Sequence, residues 1–169
     1  NEAVRLLDEN LATTGQIDQV ARETFGVALG PFAVMNIIGT GTNLNAVQNL
    51  APLGPFYRAA EGLIAQGRER LPWQINTQTD NLTAANKAEI AERLIASVLL
   101  PVLEILGEGT ATMDAIDKGA RLAFRFEKTP GMLIKRLGSD AVDRMVRALA
   151  ERHSHSHSLA STRALSEEL

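Results

Sequence analysis

The side chains able to do chemistry are few. The three histidines, His153, His155 and His157, all lie in one His-Ser-His-Ser-His run. On a helix His153 and His157 would stand one turn apart, a spacing that suits zinc or nickel. Only Glu151 lies nearby as a further ligand. The run is therefore read as a solvated tail, and no metal is assigned. Asp18 and Asp117 could act as paired acids, and Glu9 and Glu108 invite the same thought. Each pair, however, occupies matching places in a duplicated stretch, so hydrogen bonding to a neighbouring loop or helix terminus is expected instead. Gly39-Thr40-Gly41 begins like a dinucleotide fingerprint, but the third glycine is missing. No catalytic residue is assigned in this chain, and no cofactor-binding one.

The duplicated stretch organises the chain. Leu7 to Gly39 falls on Leu106 to Gly138 at an offset of 99 residues, without a gap and with eleven identities. These include Thr13/Thr112, Ile17/Ile116, Asp18/Asp117, Phe25/Phe124, Pro31/Pro130 and Gly39/Gly138. Self-similarity at a fixed offset indicates one supersecondary unit built twice. Three segments are expected: 1–75, a first repeat; 76–152, a second and degenerate repeat; and 153–169, a polar tail.

A chain of 169 residues suffices for one core or two small packed halves. Aromatics make up 4%, so aliphatic side chains must fill the core, which suits packed helices. There is no cysteine, hence no disulfide framework, and a reducing, cytoplasmic setting is expected. The net charge of -3 offers no field for nucleic acid. Leu94 to Leu103, the most apolar run, is half the length of a membrane span.

Helices must position these residues. Asn1 to Leu11 carries Val4, Leu7 and Leu11 on one face. Thr13 to Gln16 has capping-box spacing and opens a helix through Ile17, Val20, Ala21 and Phe25. Thr112 opens its counterpart, with Asp114 near the positive end. Pro31 and Pro130 suit the first helical position. Thr40 to Asn45 reads as a polar loop, Ala46 to Leu50 as a turn or two of helix, and Pro55 to Arg68 as a helix. Leu71 to Leu82 has no period and reads as a connection. A long helix, about Thr83 to Gly107, is expected to kink at Pro101. Asp140 to Arg152 is the last. No stretch alternates with period two, so the fold class is all-α, in two pseudo-repeated helical units. Asn1 corresponds to Leu100, inside the long helix. The first repeat is thus expected to start in mid-helix as a piece of something longer, exposing apolar surface and self-associating beside Val4, Leu7 and Leu11.

NEAVRLLDENLAT, IDQVARETFG and GPFAVMNIIG together resemble the C-terminal domain of the NAD-dependent 3-hydroxyacyl-CoA dehydrogenases of fatty-acid β-oxidation. The long helix ending in LPVLEILGEGTAT resembles the start of the same domain. The tandem arrangement is similar to the α-subunits of the fatty-oxidation multienzymes. The resemblance implies a fold of the 6-phosphogluconate dehydrogenase C-terminal-domain type and covers most of residues 1 to 138. It also implies NAD in the parent enzyme, an acyl-CoA substrate and a preceding dinucleotide-binding domain as partner. The homo-oligomer is expected from the cut helix, and the charge and the short apolar run point to neither nucleic acid nor membrane. Hydride transfer needs a glycine fingerprint and a histidine base, both of which the family carries in that preceding domain. This segment alone is expected to be inactive. Phe32, Met35 and Asn36 are its candidates for the substrate pocket, although Phe32 and Met35 fit helix packing equally well. Asn36 stands where the family has Asp, and the second copy has lost the Gly-Pro-Phe core. The other reading is an autonomous helical interaction module.

Overall fold

The computed structural model describes residues 1–76 and 81–156, and among these there are nine α-helices and no strand. The helices are α1 (Glu2–Asp8), α2 (Thr14–Phe25), α3 (Pro31–Ile38), α4 (Thr40–Leu50), α5 (Glu61–Glu69), α6 (Ala84–Gly107), α7 (Met113–Phe124), α8 (Pro130–Leu137) and α9 (Ser139–Arg152). The chain divides into two compact units. One comprises Asn1–Glu23 with Ala28–Ala91; the other comprises Thr24–Val27 and the chain from Glu92 onward. No helix among the described residues is long and apolar enough to cross a membrane.

In the first unit the start of α2 is held by a reciprocal capping box. Gln16 N donates to Thr13 Oγ1 at 3.3 Å, and Thr13 N donates to Gln16 Oε1 at 3.0 Å. Two backbone donors that a helix start leaves open are thereby used. Ile17, Val20 and Phe32 are buried, together with Val4, Leu6 and Leu63.

The stretch expected as a loop at Thr40–Asn45 is helical. Gly39, at φ 93°, ends α3 and at once begins α4. Asn43 Nδ2 ties that junction by donating to the Gly39 and Met35 carbonyls at 2.9 and 3.2 Å. Turn-like Thr and Asn residues thus serve a helix whose Leu44 is buried where α4 packs on α5.

The helix expected over Pro55–Arg68 is broken. A single 3-10 turn covers Pro55–Tyr57, the backbone is extended at Arg58 and Ala60, and α5 then begins. Tertiary bonds replace the helical ones: Arg5 Nη2 takes the Phe56 and Arg58 carbonyls, both at 2.8 Å. Asn1 Oδ1 accepts from Ala60 N at 3.0 Å. The face carrying Val4 is also not bare, since Val4 is fully buried and Leu7 and Leu11 are half-buried.

In the second unit α6 contributes Leu99, Leu100 and Leu103 to a core with Leu133, Ile134, Val142, Val146 and Leu149. The helix continues through Pro101. Thr112 Oγ1 caps α7 by accepting from Ala115 N at 3.3 Å. Phe25 stacks on Phe126, centroids 4.8 Å apart, and its carbonyl accepts from Glu127 N and Lys128 N.

The polar tail is not simply solvated where it is described. After α9 the chain turns back, with His155 N on the Ala150 carbonyl at 2.8 Å, and the His155 ring is buried. Its Nε2 lies 2.7 Å from Glu104 Oε1, also buried. The carboxylate partner comes from α6, distant in sequence, so the run itself gave no sign of it. His157 lies outside the described residues.

Candidate functional site

The candidate pocket residues gather on α3, and a single carboxylate sets the position of that helix. Asp18, in the second turn of α2, accepts from Phe32 N at 2.8 Å through Oδ1 and from Ala33 N at 3.1 Å through Oδ2. Both amides belong to the first turn of α3, where backbone donors lack intrahelical partners and the helix dipole favours negative charge. Gly30 makes the approach possible, because a Cβ there would run into Asp18. Burial pushes the Asp18 carboxyl above its ordinary value, while the two amides and Arg22 pull it down, and burial prevails.

Asp117 holds the corresponding place on α7. Its Oδ1 accepts from Gly131 N at 2.9 Å at the start of α8, and its Oδ2 accepts from Thr129 Oγ1 at 2.6 Å. Both aspartates therefore serve helix starts. The helices they meet, α3 and α8, are each eight residues long and each begin with proline.

Phe32 is fully buried and Met35 nearly so. Phe32 meets Trp73 edge to face, centroids 5.1 Å apart. Asn36 grips the same tryptophan by its backbone: Trp73 N donates to Asn36 Oδ1 at 2.7 Å, and Asn36 Nδ2 donates to the Trp73 carbonyl at 2.9 Å. An amide can meet both the N–H and the carbonyl of one residue, whereas a carboxylate only accepts. That is a physical reason for Asn at this position.

Trp73 lies on a non-helical strap, described as far as Asn76, that is pinned at two further points. Thr14 Oγ1 donates to the Gln74 carbonyl at 2.8 Å and accepts from Asn76 N at 3.2 Å. Gly15 lets the strap lie directly on α2, since a Cβ there would collide with the Asn76 carbonyl. Beside the strap is an open cavity of about 560 Å³, lined by Leu7, Leu11, Thr13, Gln66, Trp73 and others. Neither Phe32, Met35 nor Asn36 reaches that lining. Trp73 Nε1 and Gln66 Oε1 are buried without a hydrogen-bond partner. Sequence reading passed over Trp73 and Thr14; the one available signal was a lone tryptophan in a segment without period.

Among the described residues no group of three or more His, Cys, Asp or Glu is placed to hold a metal. Among the described residues there is no strand, and so no strand–loop–helix of the kind that cradles a pyrophosphate. What the arrangement does is mechanical: it fixes α3 and the strap against α2.

Residues 1–68 match the family model for the 3-hydroxyacyl-CoA dehydrogenase C-terminal domain. No curated protein and no solved structure gives a significant match to the chain.

Proposed function

We propose that this chain is a helical, non-catalytic part of an NAD-dependent 3-hydroxyacyl-CoA dehydrogenase. The match of residues 1–68 to that family's C-terminal domain carries the reading. In the complete enzyme the reaction is oxidation of a 3-hydroxyacyl-CoA to the 3-ketoacyl-CoA, with NAD taking the hydride. A preceding dinucleotide-binding domain holds NAD and supplies the base that removes the hydroxyl proton. The present helices close the substrate cleft and supply domain or subunit contacts.

The second half is read as a degenerate copy of the first. Three facts support this: the gapless 99-residue offset, the equal lengths of α3 and α8, and the matching roles of Asp18 and Asp117. Phe32 and Met35 stabilise the copy that keeps the Gly-Pro-Phe sequence, and Asn36 fixes its strap.

The isolated chain tests the division of labour. Titration with NADH, followed by fluorescence, is expected to show no saturable binding. Incubation with NAD and 3-hydroxybutyryl-CoA is expected to yield no NADH. Turnover above background, abolished by one substitution within residues 1–152, would overturn the proposal.

A further inference from the structure

We propose that the cavity lined by α4 and α5 binds a phosphate-bearing anion between the guanidinium groups of Arg68 and Arg70. The cavity measures about 650 Å³ and lies within the first unit. That is the size of sites that take small ligands, about 300–1,000 Å³. Thr42, Asn45, Gln48, Arg68 and Arg70 line it, Leu44 is the one large apolar side chain present, and no carboxylate is among the lining residues. An acyl chain has nothing to bury against there. A polar ligand meets hydroxyl and amide groups on one side and two cations on the other.

The charge balance carries the inference. Arg68 sits near the end of α5, Arg70 follows it in a left-handed turn at φ 54°, and both line the same cavity. Both side chains are exposed, and neither is paired with a carboxylate among the described residues. Two unneutralised charges on one cavity repel each other, and an oxyanion relieves that repulsion. Guanidinium forks match phosphate oxygens bidentately, which favours phosphate over a spherical anion. The Arg70 side chain packs over Gly41, with its Cγ 3.3 Å from where a Cβ would stand. The first turn of α4, which also lines the cavity, holds no acidic residue that would oppose the charge. This inference is independent of the dehydrogenase reading.

Calorimetric titration of the full chain with inorganic phosphate, pyrophosphate and ADP tests it. At low salt, saturable binding of at least one of them is expected, weakening as salt screens the arginines. Arg68→Gln/Arg70→Gln should lower affinity about tenfold or more, as loss of two charge-assisted contacts requires. A control, Arg144→Gln/Arg147→Gln, removes the same charge from exposed positions on α9 and should leave binding unchanged. Arg68→Lys/Arg70→Lys keeps the charge, loses the forks, and should bind less tightly than wild type. Should the glutamine variant fail to fold, this pair decides alone. ADP or pyrophosphate binding more tightly than inorganic phosphate would identify a phosphorylated organic molecule; equal binding would identify the free ion. Absence of binding by all three, equal losses in the control, or full affinity in the lysine variant would overturn the proposal.

Discussion

Asn36 and Asp18 show how single side chains set this structure. Asn36→Asp removes the donor to the Trp73 carbonyl and places a negative charge beside it. The loss of a bond to a half-buried group is expected to cost about 1–3 kcal/mol. Because Trp73 is the only tryptophan, its fluorescence should shift to the red as the strap loosens, and thermal melting should show the lower stability. An unchanged spectrum and melt would mean that the grip is dispensable. For Asp18 the pH dependence follows from the direction of its shift. Its carboxyl titrates higher in the folded chain than the ordinary 3.8, so folding favours the protonated form. Its contribution is fully present below the ordinary value and declines as pH rises towards the raised one. Asp18→Asn should therefore flatten the loss of stability across that window, as read from denaturant midpoints at successive pH values. Asp18 was legible in the sequence because its duplicate Asp117 pointed to structure rather than catalysis. Trp73 was not, since its partners lie 37 and 41 positions away.

Helices were legible where local signals start and stop them. The Thr13–Gln16 box, Pro31, Pro130 and the aliphatic run of α6 each act within a few residues, and each element formed. Local signals failed where distant groups decide. Arg5 and Asn1 break the helix expected from Pro55, and Leu44 makes a helix of the loop expected from Thr40. At the tail, composition suggested a solvated run, yet Glu104 on α6 draws His155 inside. His155→Ala should lower the melting temperature through loss of a hydrogen bond to a buried acid, about 1–3 kcal/mol. Thr13→Ala should cost about 1 kcal/mol through loss of the cap. Melts in which neither variant differs from wild type would contradict these assignments.

At the scale of the whole molecule, one apolar surface exposed among the described residues lies on α3 rather than beside Val4. On α3, Ile37 is 72% exposed and Ile38 51%, with Val34 also open. Burying such side chains is worth about 1.5–3 kcal/mol each, so a contact between copies is expected to use this face. Light scattering should show self-association that Ile37→Lys weakens; a monomer at high concentration would count against it. The central proposal is that these helices are part of a 3-hydroxyacyl-CoA dehydrogenase and do not themselves perform its chemistry. It is tested most directly by NADH formation from 3-hydroxybutyryl-CoA, measured for the product of the complete gene and for the same product lacking this chain. The account predicts turnover in the former and its loss in the latter, with NADH binding retained. A complete product that binds no NADH, or one whose turnover is unaffected by the deletion, would contradict it.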